Sequence, residues 1–560
     1  MAEQMDPNED QNQQQNWPLR QWGRLRGARW RDVIIGQVGE GATNVVFGKN
    51  NIQINVGGRN LALPIWLITL ALVAINGFLA YQPLIEPWLF PSQMNATYNI
   101  AVAEFGAIDP RGGVHGLPFG ATLSKAVYDK LMAEYQGHYP ELMGKKDGVL
   151  IWEDSLGRAA KNVHFGVITG ATPAARARQA ERLAKRINAN RVIYGYLEPN
   201  SAGADELTLE FYVAGETVRG EPDAISGRHL LGQGVLVPID AKKEAMSAAL
   251  WLSDGPLAAR SQLIFWLTLG LAYETLNQPE KALALFENAK ELLKLDPEDG
   301  AALLEYFIGR EAFWLRRYDT AITALERSQS LDPTYANAGI TLANVYYDRA
   351  QLFYIPKPPP PALSQCVSDE QLANAAPTAA DATGDIELAI SKLGEALQIA
   401  DRPPKQPIAA VGHLSLGNAY RLKGQSYLLA QPRDLEAAEA GFNAALPEFQ
   451  TALQSFTENH QERYLAWTHL GIAATHLLQA FVPLQQIAPG EDPATANPKK
   501  QASVRLFQLA ADEAQQCIKL SKDVGDLAYR QKVLDCGCIY YAQRAGELAA
   551  QVQKTITEEK

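Results

Sequence analysis

Residues 261–297 read SQLIFWLTLGLAYETLNQPEKALALFENAKELLKLDP. Within them Trp266, Leu269, Gly270, Tyr273, Ala282, Phe286 and Ala289 stand at W-x2-L-G-x2-Y…A-x3-F-x2-A, and Pro297 follows. Every fixed position is either very small or large and apolar, and the spacing is helical throughout. Such a pattern predicts two antiparallel helices. The small residues let the paired backbones approach, and the large ones fill the gap to the next pair.

The pattern recurs. Gly309, Tyr318, Ala321, Leu325 and Pro333 form a second copy. Leu342, Ala343 and Tyr346 open a third, whose second helix resumes at Ala389, Leu393 and Ala396. Leu416, Gly417, Tyr420 and Gly424, with Ala445, Phe449 and Ala452, make a fourth. Trp467, Leu470 and Gly471, with a second helix through Ala510, make a fifth, and a last helix from about 525 caps the stack. The motif resembles the tetratricopeptide repeat (TPR). The solenoid is expected over 261–553, with insertions near 355–385, 425–440 and 480–500.

The resemblance assigns the repeated residues to packing and function to the inner face of each first helix. Tyr306, Arg310, Asn344, Tyr347, Asn418 and Arg421 occupy that face and are the candidate peptide-binding groove. Asn and Arg bond an extended peptide's backbone or carboxylate, and Tyr supplies contact area. The asparagines stand where peptide-binding members of the family hold a ligand backbone, whereas the basic residues of a full carboxylate clamp are incomplete.

Upstream, residues 97–240 alternate strand and helix signals: YNIAVAEFG, the helical Gly120–Gln136 stretch, GVLIWED, HFGVITG, the helical ATPAARARQAERLAKRINAN, RVIYGYLEP and ELTLEFYVAG. A β-α-β order predicts an α/β unit with a partly parallel sheet. Ile100–Phe105, then Ala180–Leu183 leading into Ala189-Asn190-Arg191-Val192-Ile193-Tyr194-Gly195, then the strand pair that follows, resemble the TolB amino-terminal-like domain. Related modules precede tetratricopeptide repeats in bacterial signalling proteins, and the resemblance implies no catalytic residue.

Further upstream, Asn60–Ile85 carries no charge. As a helix, 26 residues would reach ~39 Å, enough for ~30 Å of hydrocarbon. Trp66, Tyr81, Trp88 and Phe90 lie near its ends, where amphipathic rings favour an interface. All seven basic residues of positions 1–60 (Arg20, Arg24, Arg26, Arg29, Arg31, Lys49 and Arg59) precede the run, and the next is Arg111. The expectation is a single-pass membrane protein anchored in the bilayer through 60–85, with the N-terminus cytoplasmic and the bulk of the chain outside. Residues 1–32 read as a polar and basic disordered head, whose Arg20–Arg31 stretch with Trp22 and Trp30 suits anionic lipid. Residues 33–59 read as a Gly-rich segment of short strands. Their Gly36-x-x-Gly39-x-Gly41 is neither a Walker A nor a dinucleotide fingerprint. The stretch resembles the Gly/Val/Asn linkers that bacterial signalling and defence proteins place beside an effector module.

The expected fold class is therefore α+β multidomain: a single transmembrane helix, a small α/β domain, then an α-helical TPR solenoid. The 560 residues carry net charge −11, which argues against nucleic acid as a partner. No catalytic set, metal site or cofactor is expected: His115, His138, His164 and His229 lack metal-ligand spacing, and no nucleophile–base set is visible. Cys517 could meet Cys536 or Cys538, or all could remain buried thiols. The leading function is a membrane-anchored scaffold presenting a protein- or peptide-binding surface. The alternatives are a membrane signalling or defence receptor whose head recruits an effector, and an enzyme.

Overall fold

A computed structural model describes residues 33–35, 42–47, 51–56, 59–64, 93–109, 113–143, 146–154, 165–199, 205–214, 225–237, 257–354, 378–402, 408–459, 461–522 and 530–558. The chain divides into two units, Met1–Phe90 and Pro91–Lys560.

In the first unit β1 (Val33–Ile35), β2 (Ala42–Phe47), β3 (Asn51–Val56) and β4 (Arg59–Pro64) form an antiparallel meander in chain order. The register sets Phe47 opposite both Val33 and Ile52, and Ile52 opposite Leu63. The expectation of a membrane helix beginning at Asn60 is corrected here. Asn60–Pro64 is strand, with Leu61 opposite Ile54 and Leu63 opposite Ile52. The alternating Leu61 and Leu63 obey the two-residue period of the hairpin. Among the described residues no helix is long and apolar enough to cross a membrane. The single transmembrane helix in the fold class, the single-pass localisation and its bilayer partner are therefore not sustained. Residues 65–85 of the run, and the lipid contact placed at Arg20–Arg31, lie outside the described residues.

The second unit begins with a mixed sheet. Its strands are β5 (Tyr98–Val102), β6 (Gly106–Ile108), β7 (Val114–Gly116), β8 (Val149–Glu153), β9 (Arg191–Pro199), β10 (Asp205–Val213), β11 (Gly227–Leu230) and β12 (Val235–Val237). The main order is β11-β10-β9-β5-β8, with β5 parallel to both β8 and β9. Helix α1 (Pro118–His138) connects β7 to β8, and α2 (Pro173–Ile187) connects β8 to β9. Parallel strands need such crossovers, and helices on both faces explain why β9 is buried over its first seven residues. Thr172 caps α2 by accepting from the Ala175 amide, Pro173 opens it, and Asn188 ends it in the left-handed region at φ 58°. Ala180, Leu183, Ala184 and Ile187 form its inward stripe.

Antiparallel helices follow as pairs: α3 (Ala258–Thr275) with α4 (Pro279–Leu293), α5 (Ala301–Trp314) with α6 (Tyr318–Leu331), α7 (Ala336–Tyr354) with α8 (Ala379–Ala400), and α9 (Ile408–Leu429) with α10 (Leu435–Glu458). The fifth is α11 (Glu462–Gln479), a one-turn α12 (Phe481–Gln485) and α13 (Pro493–Ser521). A π-helical stretch, Arg530–Ile539, leads into α14 (Tyr540–Glu558). The pairing rests on small residues. A Cβ on Gly270 would stand 2.2 Å from the Phe286 ring, and one on Gly417 2.8 Å from Phe449.

The insertions differ from expectation. Thr378 and Asp381 form a capping box that starts α8, so residues 378–385 belong to the array, and 355–377 lie outside the described residues. Near 425–440 the helices α9 and α10 are separated only by 430–434. Residues 480–500 contain α12 and the start of α13. Cys517 is joined to Cys538, with Cα atoms 5.7 Å apart.

One apolar core runs without a break from the sheet (Tyr98, Ile100, Leu209) through Leu263, Phe307, Ile340 and Leu414 to Ile472. The sheet and the repeats of the second unit are therefore one packed body.

Candidate peptide groove

The six candidate residues fall into two groups. Tyr306 and Arg310, on α5, are fully buried. Asn344 and Tyr347 on α7, and Asn418 on α9, are half-buried, and Arg421 is 8% exposed.

The first group is covered by the chain's own sheet. His229 of β11 stacks on Phe211 at 4.9 Å and lies 5.9 Å from Phe307. Its Nε2 is 2.6 Å from the Ile225 carbonyl oxygen and its Nδ1 3.0 Å from the Tyr335 hydroxyl. That network assigns the tautomer: Nε2–H donates to the carbonyl, and Nδ1 accepts from Tyr335. Burial, reinforced by Arg191, Arg228 and Arg310, lowers the imidazole pKa to about 4. The turn after β11 seats on the α4–α5 connection. The Gln233 amide donates to the Glu298 carbonyl at 2.8 Å. Arg260 bonds Asp299 at 3.2 Å, the Glu298 carbonyl at 2.9 Å and the Gln233 carbonyl. Gly232 permits this seat, with φ 76° and a Cβ that would stand 2.2 Å from Glu298 O. From α1, the Tyr135 hydroxyl meets Thr268 Oγ1 at 3.2 Å.

Beneath this cover Arg310 is locked in a charge cluster. Its Nη2 pairs with Glu274 Oε1 at 3.0 Å, and its Nη1 with Glu311 Oε1 at 2.7 Å. Burial, then the charge of Glu274, pushes the Glu311 carboxyl well above its ordinary range. Tyr306 bonds Thr341 and Asn337 and sits edge-on to Tyr335 at 5.1 Å. Tyr306 and Arg310 are thus interior groups and are not presented to a partner.

The second group is brought together across α7 and α9. Arg421 Nη2 donates to the Tyr347 hydroxyl at 2.8 Å and reaches Asn418 Oδ1 at 3.5 Å. Its Nε has no hydrogen-bond partner. Asn344 lies one turn before Tyr347 on α7. Tyr541 of α14 lies within electrostatic reach: burial raises its hydroxyl pKa, and the Arg421 guanidinium opposes that rise.

A neighbouring feature lies outside the candidate set. His413 Nε2 is 3.0 Å from Asp401 and its Nδ1 2.6 Å from Glu448, tying α9 to the C-terminal end of α8 and to the middle of α10. Burial is the largest single influence and lowers its pKa, but the two carboxylates together outweigh it and raise the value. Among the described residues no group of His, Cys, Asp or Glu could hold a metal ion.

Sequence reasoning missed Glu274, Glu311 and His229. Glu274 had a signal: it occupies in the first repeat the position that Tyr347 and Arg421 occupy in later ones, so an acid there faces Arg310 of the next helix.

No protein-family model matches the chain, and no curated protein matches it. Among solved structures, a thermophilic TPR protein of Thermus thermophilus is similar at 18% identity, over 48% of this chain and 97% of that one, with TM-score 0.24. At that score the likeness adds nothing to what the helix pairs show by themselves.

Proposed function

We propose that this helical-repeat chain is a protein-interaction scaffold that holds an extended segment of a partner on the inner face of its third and fourth repeats. The observation that supports this reading is the cluster of half-buried Asn344, Tyr347 and Asn418 around the buried Arg421 on the facing helices α7 and α9. Carboxamides at one-repeat spacing bond a peptide backbone without demanding a side-chain sequence. The sheet unit, whose residues resemble the TolB amino-terminal-like domain, acts in this reading as a built-in lid over repeats one and two.

The test uses the intact chain on a random array of immobilised extended hexapeptides. Retention that falls about tenfold in the Asn344→Ala, Asn418→Ala double variant supports the groove, since losing one or two net hydrogen bonds has that size. Unchanged retention with unchanged melting overturns it.

A further inference from the structure

The outer face of the array, formed by the second helix of each repeat, carries a cavity of about 350 Å³ between α4 and α6. Its floor is apolar: Ile308 of α5 and Ala324 of α6 are both buried. It stays open because the residues α6 contributes beside that floor, Thr320 and Thr323, are short. The charged rim belongs to two helices, with Glu287 and Lys290 on α4 and Asp319 at the start of α6. The hydrogen-bonding capacity of this rim is one-sided. Lys290 Nζ is taken up by the buried Glu305 carboxylate, at 2.8 Å from one oxygen and 3.0 Å from the other. Thr323 Oγ1 donates to the Asp319 carbonyl oxygen at 2.8 Å, which leaves that hydroxyl only its lone pairs to offer. Arg349 Nη1 comes within 3.7 Å of Asp319, but its guanidinium is forked onto Asp385 at 2.6 and 2.7 Å, and the Asp319 side chain is fully exposed. Glu287 is exposed and makes no ion pair or side-chain hydrogen bond among the described residues. A ligand entering the groove therefore meets acceptors, two of them carboxylates, above an apolar floor.

We propose that this groove takes a lysine or arginine side chain of a protein partner, which gives the chain a second docking surface, selective for basic segments, on its outer face. A long cationic side chain lays its methylenes on Ile308 and Ala324 and brings its N–H donors to Glu287, Asp319 and Thr323. A methionine covers the floor but leaves the rim without donors, and an acidic side chain meets like charge. The net charge of −11 adds long-range attraction for a basic partner.

The experiment uses the intact chain and four fluorescent pools of acetylated, amidated hexapeptides. They are random among uncharged residues except at one position, which carries Lys, Arg, Met or Glu. The Lys and Arg pools are expected to bind about fivefold tighter than the Met pool at low salt, the upper range of a partly exposed ion pair, and the margin to shrink at high salt. Glu287→Gln combined with Asp319→Asn is expected to erase the margin. Thr323→Leu fills the groove from an exposed position and keeps both carboxylates, so it is expected to weaken the Lys, Arg and Met pools alike. These variants should melt as the parent chain does, because the altered side chains are exposed. The margin is expected to persist in the Asn344→Ala, Asn418→Ala variant. Equal binding of the Lys and Met pools, tighter binding of the Glu pool, or no binding by any pool overturns the proposal. So does a margin that survives loss of both carboxylates. Binding indifferent to Thr323→Leu would mark unspecific attraction to an acidic surface, and a margin lost with Asn344 and Asn418 would assign the basic residue to the inner face; either overturns the outer groove.

Discussion

Arg310 and Arg421 lie on the inner face of the same array, two repeats apart, and their surroundings are opposite. Arg310 is sealed under the sheet with carboxylates on two sides. Arg421 is nearly as buried and has hydroxyl and amide neighbours instead. The first is a structural charge, balanced within the fold. The second has no carboxylate paired with it among the described residues. Repeat position alone therefore does not define a binding residue, because what packs over the position decides its role.

The largest expected effect breaks this comparison if it fails. Arg310→Met leaves Glu274 and Glu311 buried without their cation, and should destabilise the chain by about 3–5 kcal/mol. Arg421→Met removes a charge that has no counter-charge and should leave urea unfolding unchanged or shift it to higher denaturant. Equal destabilisation by both substitutions would show that Arg421 is as structural as Arg310.

A second effect probes the sealed region. The imidazole of His229 has a folded pKa of about 4, below its ordinary 6.5. The unfolded chain then binds the proton more readily between those values. Stability present above pH 6.5 is lost as pH falls toward 4, by about 3 kcal/mol. The groups facing His229 are Arg191 on β9, Arg228 on β11, Arg310 on α5 and the Tyr335 hydroxyl, so no acid offsets the new charge. Thermal unfolding between pH 7 and pH 4 measures this, and His229→Gln should remove that part of the slope.

The smallest effect sits beside the open region and has the opposite sign. His413 is held between Asp401 and Glu448, and its pKa is raised. Its contribution is complete below about pH 6.5 and fades as pH rises through the folded pKa. A titration of His413 by NMR should place its midpoint above that of a free imidazole. A midpoint at or below 6.5 would show that the carboxylates do not hold it.

Much of the repeat array was legible because close packing leaves a direct mark. Gly270 faces Phe286 and Gly417 faces Phe449, and only a glycine fits against a ring at those distances. The strands β5, β8, β9 and β10 were legible from their β-branched and aromatic runs, and Pro173–Ile187 from its helical composition, whereas HFGVITG, which reads as a strand, makes only an isolated bridge between Val167 and Glu104, and the short strands β6, β7, β11 and β12 carry too few residues to show a pattern. The charge-free run was misleading. Length and apolarity predict a membrane helix, but hydropathy does not register that Leu61 and Leu63 already complete a β-hairpin with Ile54 and Ile52. The candidate site was half legible. The positions were found by counting from Gly309, Ala343 and Gly417, and counting cannot show that His229, some eighty residues upstream of Arg310, lies over Phe307.

By itself, the sequence determined which segments pair as helices, since small and large residues at fixed spacing admit one mode of close approach. It also determined which side chains face inward, because the helical period leaves no freedom there. Only the tertiary structure decided which inward residues are free to act. That depends on contacts between segments distant in the chain, where a buried charge is either neutralised by carboxylates, as at Arg310, or bonded to neutral groups, as at Arg421.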